Sequence, residues 1–239
     1  MEHDLMTRPG ILATLNRLRW NLVDLHMTGI EYWPMKPKPL QATVPVSNEG
    51  VPDRHDAQQA LIDIREDIGD CTHCRLHLSR TKIVYGEGSP QARLVFVGEG
   101  PGFDEDQQGR PFVGRAGKLL DKMIQALGLR REEVYIANVV KCRPPNNRTP
   151  QDDEIATCSP FLFRQLEALA PQVICALGAC AAQTLLTTTK PISSLRSKKH
   201  FWRGMPLICI FHPAYLLRNP SQKSSAWQDL LIVLEILTG

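Results

Sequence analysis

The sequence predicts an α/β protein, a three-layer α/β/α sandwich on a central four-stranded parallel sheet, and three observations carry that prediction. Four short runs, Leu94-Val95-Phe96-Val97, Val134-Tyr135-Ile136-Ala137, Val173-Ile174-Cys175-Ala176 and Leu207-Ile208-Cys209-Ile210, are continuously apolar, the mark of strands buried on both faces. Longer segments of helical periodicity lie between them. The two kinds alternate along the chain, as parallel strands joined by helical crossovers do.

Taken in order, Ile11, Leu12, Leu15, Leu18, Leu22 and Leu25 recur at three- and four-residue intervals and form the stripe of an amphipathic helix, which needs a surface on its own body or on another protein. Pro34, Pro37, Pro39, Pro45 and Pro52 follow and read as a semi-extended linker. An N-terminal extension, residues 1–55, is thereby set apart from a domain of residues 56–239. A helix from Ala57 to Ile68, with Ala60, Leu61, Ile64 and Ile68 on one face, leads to Cys71. Further helices are expected over about 115–127, 151–169, 178–187 and 222–237. In such sheets ligands bind outside the C-terminal strand ends. The stretches 98–112, 138–148, 178 onward and 211–219 are therefore the ones to read for chemistry.

Composition narrows the classes. A chain of 239 residues, 43% hydrophobic and 22% charged, is a soluble globular protein and not a disordered one. No apolar run approaches the roughly 20 residues of a membrane span, and the Met-Glu-His-Asp start lacks the features of a secretory signal, so the expected compartment is the cytoplasm. Residues 1–70 hold 7 of the 28 Lys and Arg and 11 of the 25 Asp and Glu, a net −4, which leaves 21 against 14 and a net +7 in the rest. A basic body behind an acidic arm suits a polyanion such as nucleic acid.

Four cysteines stand out: the Cys71-Thr-His-Cys74 pair, then Cys142 and Cys158. A Cys-x-x-Cys pair with two later cysteines supplies four soft ligands for zinc or an iron–sulfur cluster, although a redox pair or unconnected thiols have the same spacing. Cys175 and Cys209 within strands, and Cys180 on a helix, read as small core residues. The loop Gly98-Glu99-Gly100-Pro101-Gly102 lets a ligand approach the backbone beside a carboxylate. Phe103 breaks the Gly-x-Gly-x-x-Gly pattern and no Gly-Lys-Ser/Thr follows, which argues against a nucleotide cofactor. Phe112 belongs either to the mouth of the same loop or to the core. Asn138 ends the second strand, where its amide suits a pyrimidine edge or a turn cap. His212 leaves the fourth strand into a proline-stiffened loop, as a catalytic or a structural histidine.

Together these segments resemble the uracil-DNA glycosylases of family 4, the iron–sulfur branch of that superfamily. The resemblance is carried by 98–102 with Gln108-Gly109-Arg110-Pro111-Phe112-Val113-Gly114-Arg115-Ala116-Gly117, by Ile136-Ala137-Asn138-Val139-Val140-Lys141-Cys142-Arg143-Pro144-Pro145, and by Phe211-His212-Pro213-Ala214-Tyr215-Leu216-Leu217-Arg218-Asn219-Pro220. It covers about residues 70–238. It implies that Cys71, Cys74, Cys142 and Cys158 hold a structural [4Fe-4S] cluster, and that the substrate is uracil in single- or double-stranded DNA, flipped out of the stack before its glycosidic bond is hydrolysed. It implies too that His212 donates to uracil O2, that Asn138 reads N3–H and O4, that Phe112 stacks on the base, and that Gly98 and Gly100 line the pocket. Gly100 stands where another branch carries a water-activating Asp, which leaves Glu99 to position water or balance the sugar cation. Leu216 or Leu217 is the expected wedge into the vacated stack. Arg143, Arg148, Lys198, Lys199 and Arg218 are expected phosphate contacts, or else solvated surface charges.

Phe103 departs from the acidic residue common there. The stretch Arg143 to Pro150 lacks the histidine with which a related branch traps the sugar, and the matched motifs offer no Schiff-base lysine. The expected protein is a monomeric, monofunctional glycosylase. The runner-up is a non-catalytic iron–sulfur module that binds or senses DNA.

Overall fold

The computed structural model describes residues 54–239. The amphipathic helix and most of the proline-rich linker expected in the N-terminal extension lie outside the described residues. The chain runs α1 (Arg54–Ile68), β1 (Glu87–Gly88), β2 (Leu94–Gly98), α2 (Phe103–Gln108), α3 (Arg115–Ala126), β3 (Tyr135–Asn138), α4 (Asp152–Leu169), β4 (Val173–Leu177), α5 (Ala179–Leu186), α6 (Ile192–Leu195), β5 (Lys199–Trp202), β6 (Met205–Ile210), α7 (Pro213–Arg218) and α8 (Lys223–Thr238).

The four apolar runs form the centre of the sheet, in the order β3-β2-β4-β6 and all parallel. The sheet is nevertheless six-stranded among the described residues, because β1 adds antiparallel to β3 and β5 antiparallel to β6. Neither edge advertises itself in the sequence. β1 is two residues long, and β5, Lys-His-Phe-Trp, buries only Trp202.

Each central strand is buried on both faces, and its residues alternate between two cores. Val95, Val97, Ala137, Ile174, Ala176 and Leu207 pack toward α4 and α5. Leu94, Phe96, Ile136, Cys175, Ile208 and Ile210 pack toward α3, α7 and α8. Three layers follow directly from this alternation. Cys175, Cys180 and Cys209 are buried, as the sequence predicts.

Chain order reverses beside β2, with β3 on one side and β4 on the other. That reversal opens a crevice at the C-terminal strand ends. The register places Gly98 beside Asn138 at its floor. Two helices missed by periodicity, α2 and α7, flank it. Both are six residues long, too short for a repeating stripe to show.

Candidate active site

The crevice widens into a cleft of about 500 Å³, lined among others by Glu99, Gly100, Phe112, Asn138, His212, Tyr215 and Arg218. Its size is that of a small-molecule site. At its floor the backbone of Gly98 leaves no room for a side chain. A Cβ there would lie 2.4 Å from Asn138 Oδ1 and 2.6 Å from Phe112 Cζ. The amide and the ring are thus brought against one strand end. Asn138 is buried, and its Oδ1 has no hydrogen-bond partner among the described residues. Since buried polar atoms are nearly always paired, an acceptor left open beside a cleft is one that a ligand or a water can engage.

Phe112 holds a backbone conformation that few residues adopt, with φ at +51°. The neighbouring chain is tied down on both sides of it. The Glu105 carboxylate accepts from the backbone N–H groups of Val113 and Gly114, each at 2.9 Å, and from Gly102 N at 3.1 Å. Arg131 donates to the carbonyls of Pro111 and Phe112 at 2.5 and 3.2 Å, while Glu87 and Asp121 hold its guanidinium. Strain at one residue is offset by five anchored backbone groups around it.

His212 stands across from the Phe112 ring, centroid to centroid 5.6 Å. It is the N-cap of α7, and its Nδ1 accepts from Ala214 N at 3.1 Å. Because Nδ1 is an acceptor, the neutral ring carries its proton on Nε2. Burial, and then the charge of Arg218, push the imidazole down to about 4. Behind the ring Gly178 lies at φ +89°, and a Cβ there would touch His212 Cβ at 3.0 Å. Burial raises the Glu99 carboxyl above its ordinary value. At Gly100 a Cβ would come within 2.7 Å of Val140 Cγ2, so the backbone here is shaped for glycine.

The rim corrects several expectations. Leu216 is fully buried in the core under α3 and cannot enter DNA without leaving it, because the helical turn of α7 points it inward. Leu217 is half-buried at the edge of the same core. Arg148 lines the cleft while its guanidinium binds the buried Glu154 by two bonds of 2.8 and 2.6 Å. Arg143 binds Asn147 Oδ1 at 2.7 Å. Arg218 is exposed and lines the cleft. Lys198 and Lys199 are exposed at the β5 edge, with Lys199 over the Phe201 ring, and neither lines the cleft.

The four cysteines Cys71, Cys74, Cys142 and Cys158 line one apolar recess with Leu76, Arg80, Ile83 and Phe161. All are free thiols. Two N–H groups point at their sulfurs: Lys141 N to Cys158 Sγ at 3.3 Å and Arg80 to Cys142 Sγ at 3.5 Å. Burial pushes Cys142 up to about 11, against the partial pull of Arg80. Among the described residues no group of three or more His, Cys, Asp or Glu side chains is arranged to hold a metal ion. What fits a metal centre is the donor set itself, four free thiols lining one recess with N–H donors at two of the sulfurs.

The family model described as Uracil DNA glycosylase superfamily matches residues 85–231. The type-4 uracil-DNA glycosylase of Thermotoga maritima is 52% identical over 162 residues, 67% of this chain and 84% of the relative. The type-4 enzymes of Archaeoglobus fulgidus and Sulfurisphaera tokodaii are 44% and 42% identical over 186 residues each, 74% of this chain and 94% and 84% of the relatives. The chain belongs to the type-4 branch of the uracil-DNA glycosylase superfamily.

In this type-4 uracil-DNA glycosylase chain, the motif residues Glu99, Gly100, Phe112, Asn138 and His212 meet in one cleft. Reading the sequence missed the supports around them. Glu105 and Arg131 hold the Phe112 turn, and Tyr215, Asn147 and Thr149 complete the wall. Glu105 had one legible signal, standing three residues after Gly102 where a capping carboxylate belongs. Arg131 had none, since its partners are spread from Glu87 to Asp121.

Proposed function

We propose that the protein removes uracil from DNA, hydrolysing the N-glycosidic bond of a flipped-out nucleotide and leaving an abasic site for repair. The observation that carries the reading is the buried Asn138 Oδ1, without a hydrogen-bond partner among the described residues, in the same cleft as a neutral His212. Uracil presents an N3–H donor between two carbonyls. Asn138 accepts from N3–H and donates to O4, while Phe112 stacks on the ring. As the N1–C1′ bond breaks, negative charge spreads onto the base and positive charge onto the sugar. His212 Nε2–H donates to O2, where that charge gathers, and its low affinity for a second proton keeps it a hydrogen-bond donor and not an acid. Glu99 balances the oxocarbenium ion and orients water. Gly100 offers no second carboxylate, so Glu99 alone serves water and the sugar cation, while Asn138 and His212 stabilise the leaving group.

Cys71, Cys74, Cys142 and Cys158 would hold a [4Fe-4S] cluster, which when bound would act as a structural cross-link. The residues themselves would then join the segment after α1, the loop after β3 and α4, and that loop carries Lys141, which donates to the Asn138 carbonyl at 3.0 Å. Arg218 and Arg143 contact phosphates, and Leu217 fills the vacated stack. The test is incubation of the purified, cluster-bearing protein with uracil-containing single- and double-stranded oligonucleotides, followed by alkaline cleavage at abasic sites. Strand cleavage at uracil supports the reading. Intact strands, with iron, sulfide and visible absorbance present, would leave a non-catalytic DNA-binding module in its place.

A further inference from the structure

Phe103, one of the large apolar side chains exposed on the described surface, adjoins the cleft and has no part in the chemistry above. It opens α2 directly after the cleft-lining Gly102, and 55% of it is exposed. Arg143 lies over one face of the ring, with its Cζ 5.1 Å from the centroid. The guanidinium is held in turn by Asn147, which also lines the cleft. The result is a ring on the lip of the cleft, backed by a cation and open to solvent.

Its acidic neighbours bear on what it can bind. Glu105 is occupied by the N–H groups of Gly102, Val113 and Gly114, and Asp106 is buried and takes those of Thr81 and Lys82. Asp104 remains exposed and repels phosphate. A base, with a π-face and no charge, fits this position better than the DNA backbone does. A cation-backed aromatic ring is what single-stranded nucleic acid uses as a stacking platform, irrespective of sequence.

We propose that Phe103, backed by Arg143, stacks against the base adjacent to the extruded nucleotide, so that this protein engages uracil most tightly where the neighbouring base is unpaired. The inference rests on the uracil-DNA reading and adds a subsite to it. A base held in the stack of a duplex is not free to move onto the ring, so the subsite gives a preference for single-stranded DNA.

The experiment compares wild type with Phe103→Ala, Phe103→Trp and Arg143→Gln. Affinity for a uracil-free single-stranded oligonucleotide is read by fluorescence anisotropy across a salt series. Uracil release is read on single-stranded substrates with either the 5′ or the 3′ neighbour replaced by a base-less tetrahydrofuran. Phe103→Ala should weaken binding and raise KM by about tenfold with kcat unchanged, and Phe103→Trp should restore both. The loss should leave the salt slope as in wild type, whereas Arg143→Gln should reduce it by about 1. Removing the base on the stacked side should abolish the difference between wild type and Phe103→Ala. The platform is refuted if Phe103→Ala stays within about twofold of wild type, or if its loss is the same with both neighbouring bases removed in turn. A protein that loses single-strand affinity on Phe103→Ala but releases no uracil keeps the platform and loses the enzyme reading. One that releases uracil equally well with or without Phe103 does the reverse, and a wild type that does not bind single strands refutes the platform outright.

Discussion

At the scale of single residues, the proposed reaction has His212 and Asn138 act on a charge that exists fully only in the transition state. Replacing His212 by Ala should therefore lower kcat by about a hundred- to a thousandfold with little change in KM, measured under single-turnover conditions on a single-stranded substrate. Gly98→Ala touches neither group chemically, yet its Cβ would press on both Asn138 Oδ1 and Phe112. A displacement of that kind should cost about a hundredfold in turnover while the thermal midpoint changes little. The pH dependence separates the two ionisable groups. His212 is neutral, and so competent, at every pH above about 4. Its neutral form is favoured by folding, so the stability it contributes is complete above the ordinary value of 6.5 and is lost as pH falls toward about 4. Burial raises Glu99, and in the proposed role it must be ionised to balance the sugar cation. The acid limb of kcat should therefore follow Glu99, above the usual carboxylate range, and Glu99→Gln should lower the plateau and remove that inflection. A limb centred near 6.5 that survives in Glu99→Gln would contradict the assignment of a low-pKa His212.

At the scale of elements, α7 carries two neighbouring leucines with different fates. Leu216 is wholly buried in the core that α7 shares with α3, whereas Leu217 is half-exposed at the edge of that core. Leu216→Ala should destabilise the fold by about 2–5 kcal/mol, seen as a lowered denaturation midpoint. Leu217→Ala should leave that midpoint near wild type and instead raise KM on duplex substrates more than on single strands, because only a duplex needs its stack filled. The turn before α3 has the same logic. Glu105→Ala would orphan three backbone N–H groups and release a residue held at positive φ. Weakened inhibition by free uracil, through a mobile Phe112, is the expected readout.

For the molecule as a whole, the cysteine recess ties three distant stretches of chain together: the segment after α1, the loop after β3 and the body of α4. Stripping the proposed cluster with a chelator under reducing conditions should lower the thermal midpoint and impair activity together, because Lys141, which lines the recess, donates to the Asn138 carbonyl at 3.0 Å. The N-terminal extension is a separate matter. The Archaeoglobus fulgidus relative is matched over 94% of its length by 74% of this chain, so the matched domain is almost all of that relative. Removing residues 1–53 should accordingly leave uracil release within about twofold of the full chain. A larger loss would assign the extension a share in DNA binding.

The sequence by itself determined the central sheet, because four continuous apolar runs can be buried only as strands covered on both faces. It also named Glu99, Asn138 and His212 of the cleft, because they stand at or just beyond strand ends, where such sheets bind ligands. The helices with long stripes were legible to within one to three residues at their ends. Only the tertiary structure decided the rest. Edge strands β1 and β5 exist through backbone pairing with neighbours, which no local apolar pattern records. Leu216 and Leu217 are chemically identical, and only the turn of α7 sends one into the core. Arg148 and Arg131 were simply charges until folding placed Glu154, Glu87 and Asp121 beside them. Local periodicity is written in neighbouring residues, whereas a site is made of groups that meet only after the chain has closed on itself, and the four cysteines that the sequence grouped by spacing and resemblance share one recess for that reason.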